Sequence, residues 1–379
     1  MSLMDTAKYA GANAAAPRVA AHFARHIQSA HRDGRTTAPA PSVATLQAII
    51  DAAFWASLKR QEGYNPRISL AYLPPEQAAQ PLLFEHPMPL AAAALAKVAP
   101  AVERAGTHLG VWERDGQLSV WGTTRTIPTF CFVLEVASPG LLVIKHHRGE
   151  ETGKFVNVAV LEGDQMKMID ETASSLPDCP PLLTSLLGFD APAEWTQSLN
   201  VLVQLAVSMR AHGKGGALLV VPSGLQTWRE SIVAPIAYSI SPSFSELADL
   251  MRETPTASGA WQDALARAVA TIAGLTAVDG ATIMTDRYEL LAFGAKITRR
   301  ERSPRVETVT VTEPIEGSVA EAMHPSELGG TRHLSAAQFV HDQQDAVALI
   351  ASQDGHFTIF AWSPCEGMVH AHRVETLLL

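Results

Sequence analysis

The feature that most constrains this chain is a switch in hydrophobic period. Between residues 108 and 161 apolar side chains recur every second position in short runs, where the flanking segments repeat every three or four. Period two places alternate residues on opposite faces of a strand. The runs 108–112, 117–121, 129–136, 141–146 and 155–161 are broken by Asp115-Gly116, Pro139-Gly140 and Glu162-Gly163. Such pairs form tight turns, so the segment reads as an antiparallel meander. Trp112 and Trp121 are expected to pack across the first hairpin, and His146-His147-Arg148 to be solvated at a hairpin end.

Helical patterns precede the meander. Val19, Phe23 and Ile27 lie four apart within an expected helix over 17–30, after an Ala-rich stretch, 1–16, that reads as a disordered leader. Ser42 is a candidate N-cap for Leu46, Ile49, Ile50, Phe54 and Leu58, with Gly63 as the stop. A strand is expected over 67–72 and an Ala-rich helix over 89–105. These elements make an α+β domain over 17–190, and the proline-bearing stretch 162–193 holds the boundary.

From residue 195 to 379 the pattern is that of an α/β domain, a mixed sheet flanked by helices. A helix over 199–211 leads to the wholly apolar run Gly216-Ala217-Leu218-Leu219-Val220-Val221, the mark of a strand buried on both faces. Helices are expected over 243–253, 260–274 and 334–341. Strands are expected over 278–284, 289–295 and 305–312, and a hairpin over 346–352 and 357–362.

Charge and cysteine usage exclude several classes. Lys+Arg number 29 against 38 Asp+Glu, giving −9, so long nucleic acid is not an expected partner. No apolar run reaches a membrane span. Cys131, Cys179 and Cys365 form no CxxC, which favours a reducing cytoplasm. His370-Ala371-His372 with Cys365 and His356 fits no familiar zinc spacing and reads as polar residues near a frayed C-terminus. Gly-x-Ser-x-Gly and His-Glu-x-x-His are both missing, so hydrolase and metalloprotease readings have no support.

Two motifs carry chemistry. Asp279-Gly280-Ala281 stands where a loop enters an apolar strand. The carboxylate there can hold a metal or accept from a sugar hydroxyl, and the small neighbours admit a ligand close to the backbone. Gly329-Gly330-Thr331-Arg332-His333 opens a helix, where free amides and three polar side chains suit a phosphate. The glycine run His212-Gly213-Lys214-Gly215-Gly216 can edge the same pocket.

Together with Ser352-Gln353-Asp354-Gly355, these motifs resemble, in order and spacing, the diadenylate cyclase domain of the DisA N-terminal family. The whole chain, including Phe54-Trp55-Ala56-Ser57-Leu58 and Leu109-Gly110-Val111-Trp112, resembles the bacterial proteins described as probable sensor domain DACNV. The resemblance implies a nucleotide site built from Asp279, Gly280, Ala281, Gly330, Thr331, Arg332, His333, Ser352, Gln353 and Asp354. It implies a two-fold homodimer in which each protomer holds one ATP. Where the domain is active, it further implies Mg²⁺ or Mn²⁺ at Asp279 and Asp354, with Asp279 catalytic.

Two departures bear on turnover. The family's second arginine is Leu334 here, and the first carboxylate after the serine is Gln353. Losing a cation and a metal carboxylate costs the transition state more than ground-state binding. The expectation is therefore a sensor that binds an adenine nucleotide or cyclic dinucleotide. An active diadenylate cyclase and a non-binding scaffold are the alternatives.

Overall fold

The computed structural model describes residues 8–32, 36–61, 63–104, 106–114, 116–147, 155–171, 193–253 (backbone alone over 193–200) and 259–379. Asp115, Arg148, Pro177, Cys179, Pro180, Pro181 and Pro192 lie outside the described residues. The chain divides into two compact units, Met1–Ile169 with Leu379, and Asp170–Leu378. The division falls within the proline-bearing stretch but ahead of residue 195. Backbone bonding accounts for the place: the Ile169 amide donates to Val158 O in the first unit, and the Asp170 amide donates to Pro314 O in the second.

The first unit opens with α1 (Ala10–Arg32) and α2 (Val43–Ser57). Ser42 caps α2, its hydroxyl accepting from the Thr45 amide at 3.1 Å, and Leu46, Ile49 and Ile50 are fully buried along one face. The expected leader is corrected from residue 9 onward. Tyr9 stacks on Phe54 with ring centroids 3.7 Å apart, and Ala12, Ala15 and Ala16 are buried in α1. Small side chains let that turn of helix lie close to its neighbours, which a polar leader would not gain from.

Then follow β1 (Ile68–Tyr72), β2 (Leu82–Pro89), α3 (Ala92–Val98), β3 (His108–Arg114), β4 (Gln117–Thr124), β5 (Phe132–Ser138), β6 (Leu141–His147), β7 (Phe155–Glu162) and β8 (Gln165–Met168). Their order in the sheet is β2-β4-β3-β1-β5-β6-β7-β8. The meander is real from β5 to β8, but β1 pairs parallel to β3, so the sheet is mixed. Phe23, Leu46, Ile49 and Ile50 pack on Leu70, Phe132, Leu134 and Ile144 as the main core. A smaller cluster of Leu73, Trp121, Cys131 and Val133 also forms in this unit.

Two expectations here are corrected. Trp112 faces Ser119 across the hairpin, because a register shift after Gly110 displaces Trp121. The Trp121 indole instead donates to Leu73 O at 2.8 Å and lies over Gly110, where a Cβ would come within 2.0 Å of the ring. His146 and His147 are both buried. His146 packs on Phe130 at 5.0 Å and His147 on Phe155 at 5.4 Å. Consecutive strand residues point to opposite faces, and here each finds an aromatic neighbour.

The second unit contains α4 (Ala193–Ala211), β9 (Gly216–Val221), β10 (Tyr238–Phe244), α5 (Glu246–Arg252), α6 (Gly259–Leu275), β11 (Ala281–Thr285) and β12 (Leu290–Ala295). It continues with β13 (Val309–Thr312), β14 (Glu321–Met323), α7 (Pro325–Asp342), β15 (Val347–Ala351), β16 (Phe357–Ser363) and β17 (Met368–Arg373). The sheet order is β10-β12-β11-β9-β15-β16-β17-β13-β14. The apolar run forms the interior strand β9, parallel to β11 and antiparallel to β15. Helix α7 packs on β15, β16 and β17, while α4 and α6 pack together. Each unit is thus a mixed sheet with helices, an α/β arrangement.

The C-terminal histidines are also corrected: His370 and His372 sit in β17 and are buried. Their strand is held on both sides, by β16 and by β13, so it does not fray.

Burial gives both units a pH dependence of the same sign. Burial pushes the His108 imidazole down to about 4, against an opposing pull from Glu135 and with help from His147 and Lys145. Burial likewise pushes His372 down to about 3, with His370 adding to the effect. An unfolded histidine takes up its proton near pH 6.5, while these stay neutral when folded. The stability they secure is complete above pH 6.5 and is lost as pH falls toward 4 and 3 respectively. Denaturation midpoints measured between pH 7.5 and 4.5 are expected to fall, and His108→Asn to flatten the part belonging to the first unit.

Candidate functional site

The two sequence motifs meet in the second unit. A pocket of about 190 Å³ is lined by Asp279, Gly280, Ala281, Lys296, Thr331 and Arg332, with Ala217, Ala295, Ile297 and Ser335 completing its wall. Residues some fifty positions apart are brought together by β11 and α7.

Local geometry explains the placement. Helix α7 breaks at Gly329 (φ 149°, ψ 95°) and Gly330 (φ 51°, ψ −164°), and the helix resumes from Thr331. Backbone angles of this kind favour glycine, and the resumed turn has amides without intrahelical partners. Arg332 reaches over Gly215: a Cβ on Gly215 would lie 2.9 Å from its Nη1 and 3.3 Å from Gln353 Cγ. The glycine run before β9 therefore clears space in which a cation and an amide come together.

Asp279 is fully exposed and pairs with Lys296, Nζ donating to Oδ2 at 2.5 Å. That hydrogen bond and the ammonium charge hold the carboxyl below the usual carboxylate range, and Arg332 adds to the effect. At neutral pH the rim thus carries one carboxylate between two cations, a net positive site on an acidic chain.

Lys296 and Ser335 are absent from the sequence-level site. Both were reachable. Ser335 follows Thr331 by four residues on one helical face. Ala281 pairs with Ala295 across the β11–β12 hairpin, so the next residue, Lys296, falls beside Asp279-Gly280.

Other expected members lie elsewhere. His333 turns inward: it is 2% exposed, its Nε2 stands 3.4 Å from Thr358 Oγ1, and its ring meets Phe360 edge-on at 6.0 Å. Burial lowers its pKa, and the bare Gly329 makes room for it, since a Cβ there would approach His333 Nδ1 to 2.9 Å. The helical position after Arg332 faces the sheet, which is why a donor was expected and a core imidazole found. Ser352, Gln353 and Asp354 occupy the turn between β15 and β16 and do not line the pocket. Ser352 Oγ accepts from the His356 amide at 3.1 Å, and Gln353 Nε2 donates to Lys214 O at 3.4 Å. Asp354 is exposed on that turn.

For a catalytic divalent cation the pocket offers one carboxylate, which is already paired. A nucleotide-bound Mg²⁺ keeps several waters and takes one or two protein carboxylates beside the substrate phosphates. Here Asp279 is engaged by an ammonium, Asp354 is not in the pocket, and Gln353 is an amide.

A larger cleft of about 570 Å³ lies at the other end of β9, by Val221, Trp228, Arg300 and Asp342. Several of its polar groups serve the fold. Asp342 accepts from the Arg300 amide at 2.8 Å, from Gln338 Nε2 at 2.9 Å and from the Ser303 hydroxyl, and Arg300 pairs with Glu230 at 2.7 Å.

Residues 35–125 match the family model described as probable sensor domain DACNV. The DACNV match runs from the segment before α2 through β4 and covers about a quarter of the chain. It contains both segments, 54–58 and 109–112, on which the resemblance to that family rests. It lies wholly in the first unit, whereas the residues that line the pocket belong to the second. No curated protein matches the chain. Among the described residues, no helix is long and apolar enough to cross a membrane.

Proposed function

We propose that this chain is a nucleotide sensor whose second unit grips the phosphate of an adenine nucleotide or cyclic dinucleotide. The observation that carries the reading is the convergence of Arg332, Lys296, Thr331 and Ser335 on one small pocket beside Asp279. Two cations and two hydroxyls suit a phosphate, and a guanidinium can engage it through two parallel hydrogen bonds. The pocket is smaller than the ~300–1,000 Å³ usual for a whole small ligand, so it suits a phosphate better than an entire nucleotide. A ligand seated there leaves its base free for a second surface, and a two-fold partner copy is one way to supply it.

Binding without turnover follows from the same residues. The Lys296 ammonium stands where a metal would need Asp279, and phosphoryl transfer depends on charge neutralisation at the reacting phosphate. Bound nucleotide then biases one conformation of the chain over another and so reports its own concentration. The resemblance of the DACNV segment to a sensor domain supports this use.

The reading is tested by incubating the pure chain with ATP and either Mg²⁺ or Mn²⁺, with Asp279→Asn alongside. The expected result is ATP retained by the protein, with neither pyrophosphate nor cyclic di-AMP formed. Product that disappears in Asp279→Asn would make the chain a diadenylate cyclase and end the sensor reading. Thermal-shift profiles left flat by ATP, GTP and cyclic dinucleotides would leave only a scaffold.

A further inference from the structure

Beyond this pocket, the surface continues. Ile297 and Ser335 line the phosphate pocket and also a neighbouring groove of about 670 Å³, so the two openings share a wall. Arg299 and Arg305 line the groove with Leu334, His324 and Gln338. Both arginines come from the loop after β12, whose residues 299–305 read Arg-Arg-Glu-Arg-Ser-Pro-Arg. Four arginines and one acid in seven residues are unusual for a chain of net charge −9.

The loop's other charges, Arg300, Glu301 and Arg302, line a different opening. Arg300 is paired with Glu230, and it faces the separate cleft by Asp342 together with Arg302. Arg299 and Arg305 are exposed, and among the described residues neither makes an ion pair. Glu307 also lines the groove and is its one carboxylate, 3.9 Å from His324 Nε2. Two exposed guanidiniums against one carboxylate leave the groove net positive, which an arriving anion relieves.

We infer that Arg299 and Arg305 form a second anion subsite continuous with the phosphate pocket, and that the ligand carries at least two phosphoryl groups. This rests on the phosphate reading of the first pocket and adds the ligand's class. A cyclic dinucleotide and a nucleoside polyphosphate share that chemistry, with one phosphate at Arg332 and another at the arginine pair.

The test measures affinity of the full-length chain for AMP, pyrophosphate, ATP and cyclic di-AMP, in wild type and in the Arg299→Ala/Arg305→Ala double variant. Both side chains are exposed, so the fold is expected to survive, and circular dichroism checks it. At least one two-phosphate probe is expected to bind the wild type ten-fold or more tighter than AMP. The double variant should lose that gain while holding AMP within two-fold. Pyrophosphate matching ATP would place recognition in the polyphosphate, whereas preference for cyclic di-AMP would assign the dinucleotide; either outcome supports two phosphate sites. A gain that persists in the double variant, or no gain in the wild type, overturns the subsite and leaves the first pocket standing. Failure of every probe to bind the wild type removes the first pocket as well.

Discussion

Arg332→Ala is expected to weaken binding of ATP and of cyclic di-AMP by about 30-fold or more, measured by titration calorimetry on the full chain. The estimate is the ~2 kcal/mol or more lost when one partner of a desolvated charge pair is truncated. The side chain is half-buried, with its guanidinium fitted over bare Gly215 and beside Gln353. That pre-positioning is what Lys at this position would lack: a single ammonium on a flexible stem does not reproduce a planar two-point contact. Arg332→Lys is therefore expected to recover only part of the loss. Unchanged affinity in Arg332→Ala would mean that phosphate is not held at this pocket, whatever binds elsewhere.

Much of this fold was legible because its period changes are clean. The apolar run at 216–221 could be read as a buried strand because every residue in it is apolar, and β9 lies inside the sheet between β11 and β15. Ser42 announced α2 because a hydroxyl before an apolar face satisfies a free amide. The parallel pairing of β1 with β3 was not legible, since strand partners separated by a helix leave no local mark. Nor was β17. Its sequence, Met-Val-His-Ala-His-Arg, alternates apolar and polar residues like a solvated edge, yet β13 returns to cover it and buries the histidines.

At the site, residue types were readable and directions were not. Asp279 and Arg332 converge as their motifs suggest, but His333, one residue further along the helix, is rotated about 100° from Arg332 and enters the core. Lys296 carried no motif. Its role comes from hairpin register alone, which fixes which residues sit opposite one another.

The glycine of Asp279-Gly280-Ala281 separates structural from ligand demands, and Gly280→Ala is expected to destabilise the second unit by about 3 kcal/mol or more. Gly280 has φ 111°, a backbone region that costs an ordinary residue roughly 1–3 kcal/mol. A Cβ would also lie 2.5 Å from Gly294 C and 2.7 Å from Gly294 O, backbone atoms that cannot swing aside. Gly294 is itself constrained, with φ 62° and the Tyr238 ring where its own Cβ would stand. The two glycines let the ends of β11 and β12 touch, so the space beside Gly280 is filled by protein and not kept for a ligand. For a unit of this size the loss corresponds to a fall of about 6–12 °C in the second unit's thermal transition. Asp279→Asn, changing a fully exposed side chain one residue away, should leave that transition unchanged. If calorimetry instead finds Gly280→Ala as stable as wild type, the strand contact does not require the glycine. Close approach of a ligand to the backbone then becomes its better explanation.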